Sequence, residues 1–425
     1  MDVIVLLGVF FLLLFLGVPI GISLVLSSLV YVKLFMNVPP IIIGQQMLKG
    51  VDSFSLLAIP FFIIAGALME SGGISKRIVA FAKALVGHLT GGLAIVTIIA
   101  SMIFAAMTGA GAATTAAVGG IMIPSMIEEG YEDGYAGAIQ STAGIFGPLI
   151  PPSVLMVLYG VASGASVGDM LLAGLIPGLF LGVLLISVVV YQCKKKGYTG
   201  VGSFSFKTVA KAFVDAFWAL LAPIIILGGI YSGLFTPTEA SAIACFYSII
   251  IGLFVYNELN IETLLSTIYK ALKTAAGIML IVSATQAFGW VLTRAGIPQM
   301  VASAFISLTS SSYVFLIIVM FILLIAGCFI DAVPALLIFA PILLPSALEF
   351  GVDIVHFGVV MVMVLCVGLV TPPVGVNLFV ASSVGNVPLR KMFKHLTVLL
   401  LTILAGVIIV IFVPQISLIL PSLMK

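Results

Sequence analysis

Asp331 is the only charged residue between positions 313 and 348, almost at the centre of an apolar stretch reading GCFIDAVPALLIFAPILLP. A carboxylate at membrane depth is costly and marks an ion or substrate path, although Asp is also a good helix N-cap. Two proline pairs stand in similar company, Pro151-Pro152 in GPLIPPSVLM (147–156) and Pro372-Pro373 in GLVTPPVGVN (368–377). Each pair removes two backbone donors and breaks its helix, leaving carbonyl oxygens free. A run of small residues, AAMTGAGAATTAA (105–117), adds threonine hydroxyls at another break in helical character. Carboxylate, hydroxyl and backbone carbonyl are hard oxygen donors, suited to hard cations.

These groups need a frame. The 425-residue chain is 62% hydrophobic and 8% charged, and apolar stretches of spanning length recur throughout, which implies an all-α polytopic membrane protein in a lipid bilayer. The apolar run begins directly after Met1-Asp2, with no basic region or cleavage site, and reads as a retained first span. A net charge of +2 points to no nucleic-acid partner. Four scattered cysteines lack metal or redox spacing. No GxxxxGK[ST], HExxH or GxSxG occurs, so ATP-driven pumping and membrane hydrolysis are disfavoured and no enzymatic role is expected. An intramembrane aspartyl protease would need a second embedded Asp, and the remaining Asp residues lie near expected span ends or loops.

Lys and Arg gather in cytoplasmic loops. Here 13 of the 17 fall in four clusters: Lys76, Arg77 and Lys83; Lys194, Lys195, Lys196, Lys207 and Lys211; Lys270 and Lys273; Arg390, Lys391 and Lys394. A helix over 93–127 would run about 50 Å against a hydrocarbon core of about 30 Å. A re-entrant hairpin with its tip near Ala110 fits better, entering from the cytoplasm and returning near EEGYED (128–133). A broken span at 134–163, a return at 170–193, and an out-and-back pair at 217–235 and 238–256 follow. The pair turns at TPTEA, with Thr236 and Glu239 at capping-box spacing. A span at 275–293 leads to a second hairpin at 313–348, entering from the outside. A broken span at 354–386 and an exit at 396–421 complete the chain.

Sliding the sequence by 221 residues aligns 121–164 with 342–385 without a gap. Ten identities in 44 positions, mostly Gly, Pro and Ser, include both proline pairs, and the same shift sets Ala110 on Asp331. A repeat of opposite orientation is a secondary-transporter architecture, with sites at discontinuous helices near the midplane.

At this point the residues resemble a known family. TGAG with PPSVLMVLYG, FTPTEA, and GCFIDAVPALLIFAPILLP with TPPVGVNLF together look like the large membrane subunit of a tripartite ATP-independent periplasmic (TRAP) transporter, most of all the sialic-acid type. The resemblance implies sodium-coupled import of a carboxylate-bearing solute, sialic acid or a C4-dicarboxylate, across the bacterial inner membrane. It further implies an elevator motion, a soluble periplasmic binding protein that delivers substrate, and a small membrane subunit on a separate chain. A stand-alone sodium- or proton-coupled dicarboxylate carrier is the alternative.

The expected fold is then an inverted-repeat elevator-type transporter with two re-entrant hairpins and two Pro-broken helices. Scaffold helices occupy 1–70, the first transport repeat 71–170, scaffold and connecting segment 171–293, the second repeat 294–390 and a last span 391–425. The first region would hold one span over 3–36, interrupted at Gly17-Val18-Pro19, and an amphipathic QQMLKGVD segment. One sodium site is expected from Thr108, Gly109, Gly147 and Pro151. Its symmetry mate would use Gly327, Asp331, Gly368, Thr371 and Pro373. Substrate is expected at Arg294, Asp331, Ser153, Ser166 and Asn377. Arg294 is the only Arg outside the basic clusters and so the natural counter-charge to a carboxylate; otherwise it is a snorkelling helix end.

Overall fold

Pro19 has no N–H to extend a helix and Gly17 takes φ +78°, so the first apolar run breaks there. In the computed structural model, which describes residues 2–424, the run becomes two helices rather than one interrupted span. These are α1 (Asp2–Phe15) and α2 (Ile20–Phe35), which pack on each other. Met1 and Lys425, the outer ends of the first and last expected segments, lie outside the described residues. QQMLKGVD falls in and just after α3 (Ile41–Val51), whose Gly50 lets it lie against Gln286. Next come α4 (Ala58–Ser71) and the basic α5 (Ile74–Val86).

Both expected hairpins are present as helix–turn–helix units. The first is α6 (Gly92–Thr108) and α7 (Gly111–Glu128), turning at Gly109-Ala110. Its broken partner is α8 (Asp133–Ala143), a short 3-10 turn, the loop holding Pro151-Pro152, and α9 (Val154–Ser163). Then α10 (Val167–Lys196) runs 30 residues, followed by α11 (Phe206–Tyr231) and α12 (Pro237–Ile250). The Thr236–Glu239 capping box forms as expected.

The next span is longer than the sequence reading gave. A second capping box, Asn260 with Thr263, starts α13 (Ile261–Arg294) 14 residues before position 275. At 34 residues it is about 50 Å long, and it carries Lys270 and Lys273 inside the helix instead of in a loop. An amphipathic α14 (Ile297–Leu308) leads to the second hairpin, α15 (Ser312–Phe329) and α16 (Ala332–Glu349). The second broken helix is α17 (Ile354–Gly368) and α18 (Val376–Gly385), and α19 (Leu389–Phe412) and α20 (Gln415–Leu423) close the chain.

Every described element is a helix, and eight helical segments are long and apolar enough to cross a membrane. With large apolar side chains such as Phe15, Val183 and Phe254 exposed on the outside, this is a multi-pass membrane protein. The four cysteines are buried and unpaired, and no group of His, Cys, Asp and Glu among the described residues could hold a metal ion.

The repeats are interlocked. α9, the far half of the first break, packs on α16 and α17 of the second repeat; α18 packs on α7 and α8 of the first. Gly358 leaves room for the Tyr159 ring, whose hydroxyl donates to the Ile354 carbonyl at 2.8 Å. In the other direction, Gly385 packs on Ile123. α10 and α19 lie against this body, while α2, α3, α4 and α12 group around α13 and its neighbours.

Two basic clusters meet at one end of the molecule. Lys196 binds Glu132 at 2.6 Å, Lys391 binds Asp133 at 2.6 Å, and Tyr131 stacks on Tyr198 at 4.1 Å. The hydrogen bond from Lys196, with the charges of Lys196, His395 and Lys394 behind it, holds the Glu132 carboxyl below its ordinary range.

Candidate functional site

Each hairpin tip rests on the break of its own repeat. In the first, Val154 N–H donates to the Gly109 carbonyl at 3.4 Å. Gly109 has φ +63°, and a Cβ there would meet the Pro152 carbonyl at 2.6 Å. Gly147 faces the Ala110 carbonyl so closely that any side chain would collide with it. In the second, Gly327 and Gly368 meet backbone to backbone: a Cβ on Gly368 would stand 2.7 Å from Gly327 Cα. The contacts shown are thus Gly109 with Pro152 and Val154, Gly147 with Ala110, and Gly327 with Gly368. Both proline pairs carry a cis peptide bond.

A cavity of about 420 Å³ lies between the two tips. Thr108, Gly109, Asp331 and Asn377 line it, together with Glu70 of α4 and Lys270 of α13. Asp331 caps α16, its Oδ2 accepting from Val333 N–H at a long 3.5 Å, and the same residue lines the cavity. Its repeat mate Ala110 holds the same position ahead of α7 without a polar side chain. The cavity therefore has one tip with a carboxylate and one without.

The tip of α6–α7 is surrounded by oxygen. Thr108 and Thr114 hydroxyls share a hydrogen bond at 3.0 Å. Asn377, from the second break, reaches across to the first repeat, its Nδ2 donating to the Ser141 carbonyl at 3.4 Å. Three buried oxygens here, Thr115 Oγ1, Gln140 Oε1 and Asn377 Oδ1, have no hydrogen-bond partner. Buried acceptors are normally satisfied, so three unpartnered ones beside a helix break invite a cation.

Other expected residues are employed differently. Ser153 caps α9, accepting from Met156 N–H at 3.2 Å and donating to the Pro148 carbonyl. Ser166 caps α10, accepting from Asp169 N–H at 3.2 Å. Neither lines the cavity. Arg294 is exposed at the end of α13, its guanidinium 5.6 Å from the Trp290 ring centroid and away from both tips. The cation that faces the cavity is Lys270. Thr371 binds the Val367 carbonyl at 2.7 Å beside the second tip, and Pro373 is exposed.

Residues 7–416 match the family described as the tripartite ATP-independent periplasmic transporter, DctM component. The chain belongs to this family. As a TRAP large permease it is 40% identical to the sialic acid TRAP transporter large permease SiaM of Vibrio cholerae, over 97% of this chain and 96% of that one. It is 41% identical to the C4-dicarboxylate large permease DctM of Pseudomonas aeruginosa, over 94% of each. The isethionate permease DctMQ of Oleidesulfovibrio alaskensis is 43% identical over 97% of this chain, which spans 65% of that longer protein. Among solved structures, the YdaH transporter of Alcanivorax borkumensis shares the fold, with a TM-score of 0.59 over 86% of each chain at 14% identity. Within this TRAP permease, Lys270 and Glu70 are the charged cavity residues that sequence reasoning did not assign to the site. The Asn260–Thr263 capping box, readable in the sequence, was the signal that placed Lys270 inside a helix.

Proposed function

We propose that this permease imports a carboxylate-bearing solute, sialic acid or a C4-dicarboxylate, coupled to inward sodium flow across the bacterial inner membrane. The observation that carries the reading is the single cavity shared by two hairpin tips, each seated on a break, with Asp331 and Lys270 in its wall. Sodium is a hard cation, and the hydroxyls, carbonyls and unpartnered oxygens around Thr108, Thr115 and Asn377 suit it. Lys270 supplies the positive charge that an acidic solute needs. Sialic acid, C4-dicarboxylates and isethionate, the solutes in the relatives' names, all carry an acidic group.

Transport proceeds in an elevator motion, with both hairpins re-entrant. The interlocked repeats with α10 and α19 form the moving body, and the helices around α13 form the scaffold. Support comes from the seam between them, where Gly66 of α4 lets Thr108 of the first tip pass closely, a Cβ on Gly66 standing 3.0 Å from Thr108 Cα. The cavity reaches Glu70, next to Ser71, which meets Thr267 at 3.2 Å near the basic end. This supports assigning the structure to an inward-open state. A separate small membrane subunit completes the scaffold, and a soluble periplasmic binding protein delivers the solute.

The test is uptake of labelled sialic acid, a C4-dicarboxylate and isethionate into proteoliposomes holding this chain and its small partner. Each is measured with and without an inward sodium gradient and the binding protein. Uptake that requires both sodium and the binding protein is expected. Sodium-driven uptake without the binding protein would make it a stand-alone carrier, and indifference to sodium would remove the coupling.

A further inference from the structure

A second cavity, about 990 Å³ and more than twice the size of the central one, opens between α5 and α11. On α5 the lining residues Lys76, Ala80, Lys83 and Ala84 fall on one helical face, as do Lys211, Asp215 and Trp218 on α11. The Phe81 and Phe213 rings lie 5.9 Å apart, and Val201 N–H donates to the Gly87 carbonyl at 2.8 Å. The two helices therefore run antiparallel, with the 197–205 loop folded over the C-terminal end of α5.

The two ends of this cavity differ in charge balance. At the far end, Glu258 takes Lys76 at 3.6 Å and Arg77 at 3.3 Å, and the Arg77 guanidinium lies 3.7 Å over the Tyr256 ring. The Tyr256 hydroxyl in turn donates to the Asp215 carbonyl at 3.2 Å. At the loop end the cations carry no ion pair, the nearest carboxylate in the lining along α11 being Asp215, one turn from Lys211. Lys83 and Lys211 are exposed, and among the described residues neither has an acidic partner within 4.0 Å. His88 contributes a buried Nδ1 with no hydrogen-bond partner, and Ser203 and Thr208 bring hydroxyls. Two positive charges that no carboxylate binds within 4.0 Å, with hydroxyl donors nearby, make a phosphate-sized receptor, and Asp215 one turn along α11 bounds it on the side of the Glu258 end.

The surroundings select the source of that phosphate. Around the opening, Phe204, Phe206, Phe213 and Trp218 are 55%, 77%, 45% and 41% exposed. Trp218 is a ring of the kind that marks the headgroup level of a bilayer, and the three Phe rings add exposed apolar surface beside it. A cavity cationic within and aromatic at its rim is matched by a ligand with an anionic head and an apolar tail.

We propose that the cavity between α5 and α11 binds the phosphate of an anionic phospholipid headgroup from the leaflet at the basic end of the molecule. Lys83 and Lys211 hold the phosphate, with Ser203 and Thr208 donating to its oxygens. The glycerol and upper acyl chains lie along Val214 and Trp218. Basic pockets between spanning helices on the cytoplasmic side are suited to such headgroups.

The test is native mass spectrometry of the full chain with its small membrane subunit, titrated with phosphatidylglycerol, cardiolipin or phosphatidylcholine. Inorganic phosphate and glycerol 3-phosphate are run in parallel as headgroup-only arms. Wild type should retain one anionic lipid in preference to phosphatidylcholine, and the soluble phosphates should bind far more weakly. Lys83→Gln should weaken anionic lipid binding about fivefold, and Lys83→Gln/Lys211→Gln roughly 25-fold, as expected for about one headgroup contact per lysine. Lys194→Gln/Lys195→Gln removes the same charge outside the cavity and should leave binding unchanged. Both lysines of the test pair are exposed, so a monodisperse, thermally stable variant is expected and is checked alongside. Equal lipid retention by wild type and the Lys83/Lys211 variant would overturn the proposal. So would displacement of the lipid by the small subunit, which would make this a protein interface, or equally tight binding of glycerol 3-phosphate, which would make it a soluble-anion site.

Discussion

The backbone contact between Gly327 and Gly368 offers the most direct test of tip seating. A Cβ on Gly368 would stand 2.7 Å from Gly327 Cα and 2.9 Å from its carbonyl oxygen. Neither atom belongs to a flexible side chain, so in Gly368→Ala the second tip must retreat from the break. Overpacking of this kind costs about 1–3 kcal/mol. Applied to the balance between a seated and an unseated tip, that is roughly a 5- to 150-fold shift. On the proposed seating of sodium between tip and break, the sodium concentration for half-maximal uptake should rise by the same factor. Gly147→Ala makes the equivalent change in the first repeat, driving its Cβ into the Ala110 carbonyl and to 2.8 Å from Gly111 N. Gly120→Ala is the control, since nothing lies within 4 Å of its Cβ on the same hairpin. Sodium-titrated uptake in proteoliposomes reads the shift, and thermal unfolding in detergent confirms that each variant is folded. Folded Gly368→Ala and Gly147→Ala proteins with the sodium dependence of wild type would refute tip seating as the basis of ion binding.

Three further outcomes are expected. Asp331→Asn should abolish sodium-driven uptake yet change stability by less than about 0.5 kcal/mol, because Asn caps helices as well as Asp and the existing cap bond is long; normal uptake would leave Asp331 a cap alone. Lys270→Ala should raise the half-saturating solute concentration roughly 10- to 100-fold, the loss of one charge-assisted hydrogen bond, while Arg294→Ala should leave it unchanged; the reverse ranking, measured in the same uptake assay, would return the counter-charge to Arg294. Glu132 is held below its ordinary pKa by Lys196, so its contribution is complete above the unfolded value near 4.3 and is lost as pH falls through the lower folded value; the acid side of a pH–stability curve should be flatter in Glu132→Gln, by a small amount because the pair is solvated, and superimposable curves would remove Glu132 from acid stability.

Much of the architecture was legible because the membrane imposes lengths. Stretches of 35 and 36 residues with at most one charge, 93–127 and 313–348, fit neither one span nor two, and that misfit located both hairpins. The 221-residue repeat then located the breaks. Gly147 and Gly368 recur in register because each must admit another backbone. Lys270 was read only as a member of a basic cluster. The fold adds that α13 starts early enough to hold it in the cavity wall. Asn377 was found, but its partner was not. Its bond to Ser141 spans 236 residues and crosses between repeats, and neither composition nor period encodes it. Thr115 stood unsingled within the polar small-residue run at the first tip, and only the fold reveals its hydroxyl as an unpartnered buried oxygen.

The exchange of α9 and α18 between repeats also constrains how the chain is made. α9 is complete at Ser163, yet the face it packs against belongs to α16, which ends at Glu349. At 5–20 residues per second, synthesis of the intervening 186 residues takes about 10–40 s. Throughout that interval the first break has its hairpin but not its cross-repeat support, and α7 still lacks α18. Neither repeat can settle until the ribosome has nearly finished, so truncation anywhere before Gly385 should leave an insertion intermediate open to membrane quality-control proteolysis rather than a stable half-transporter.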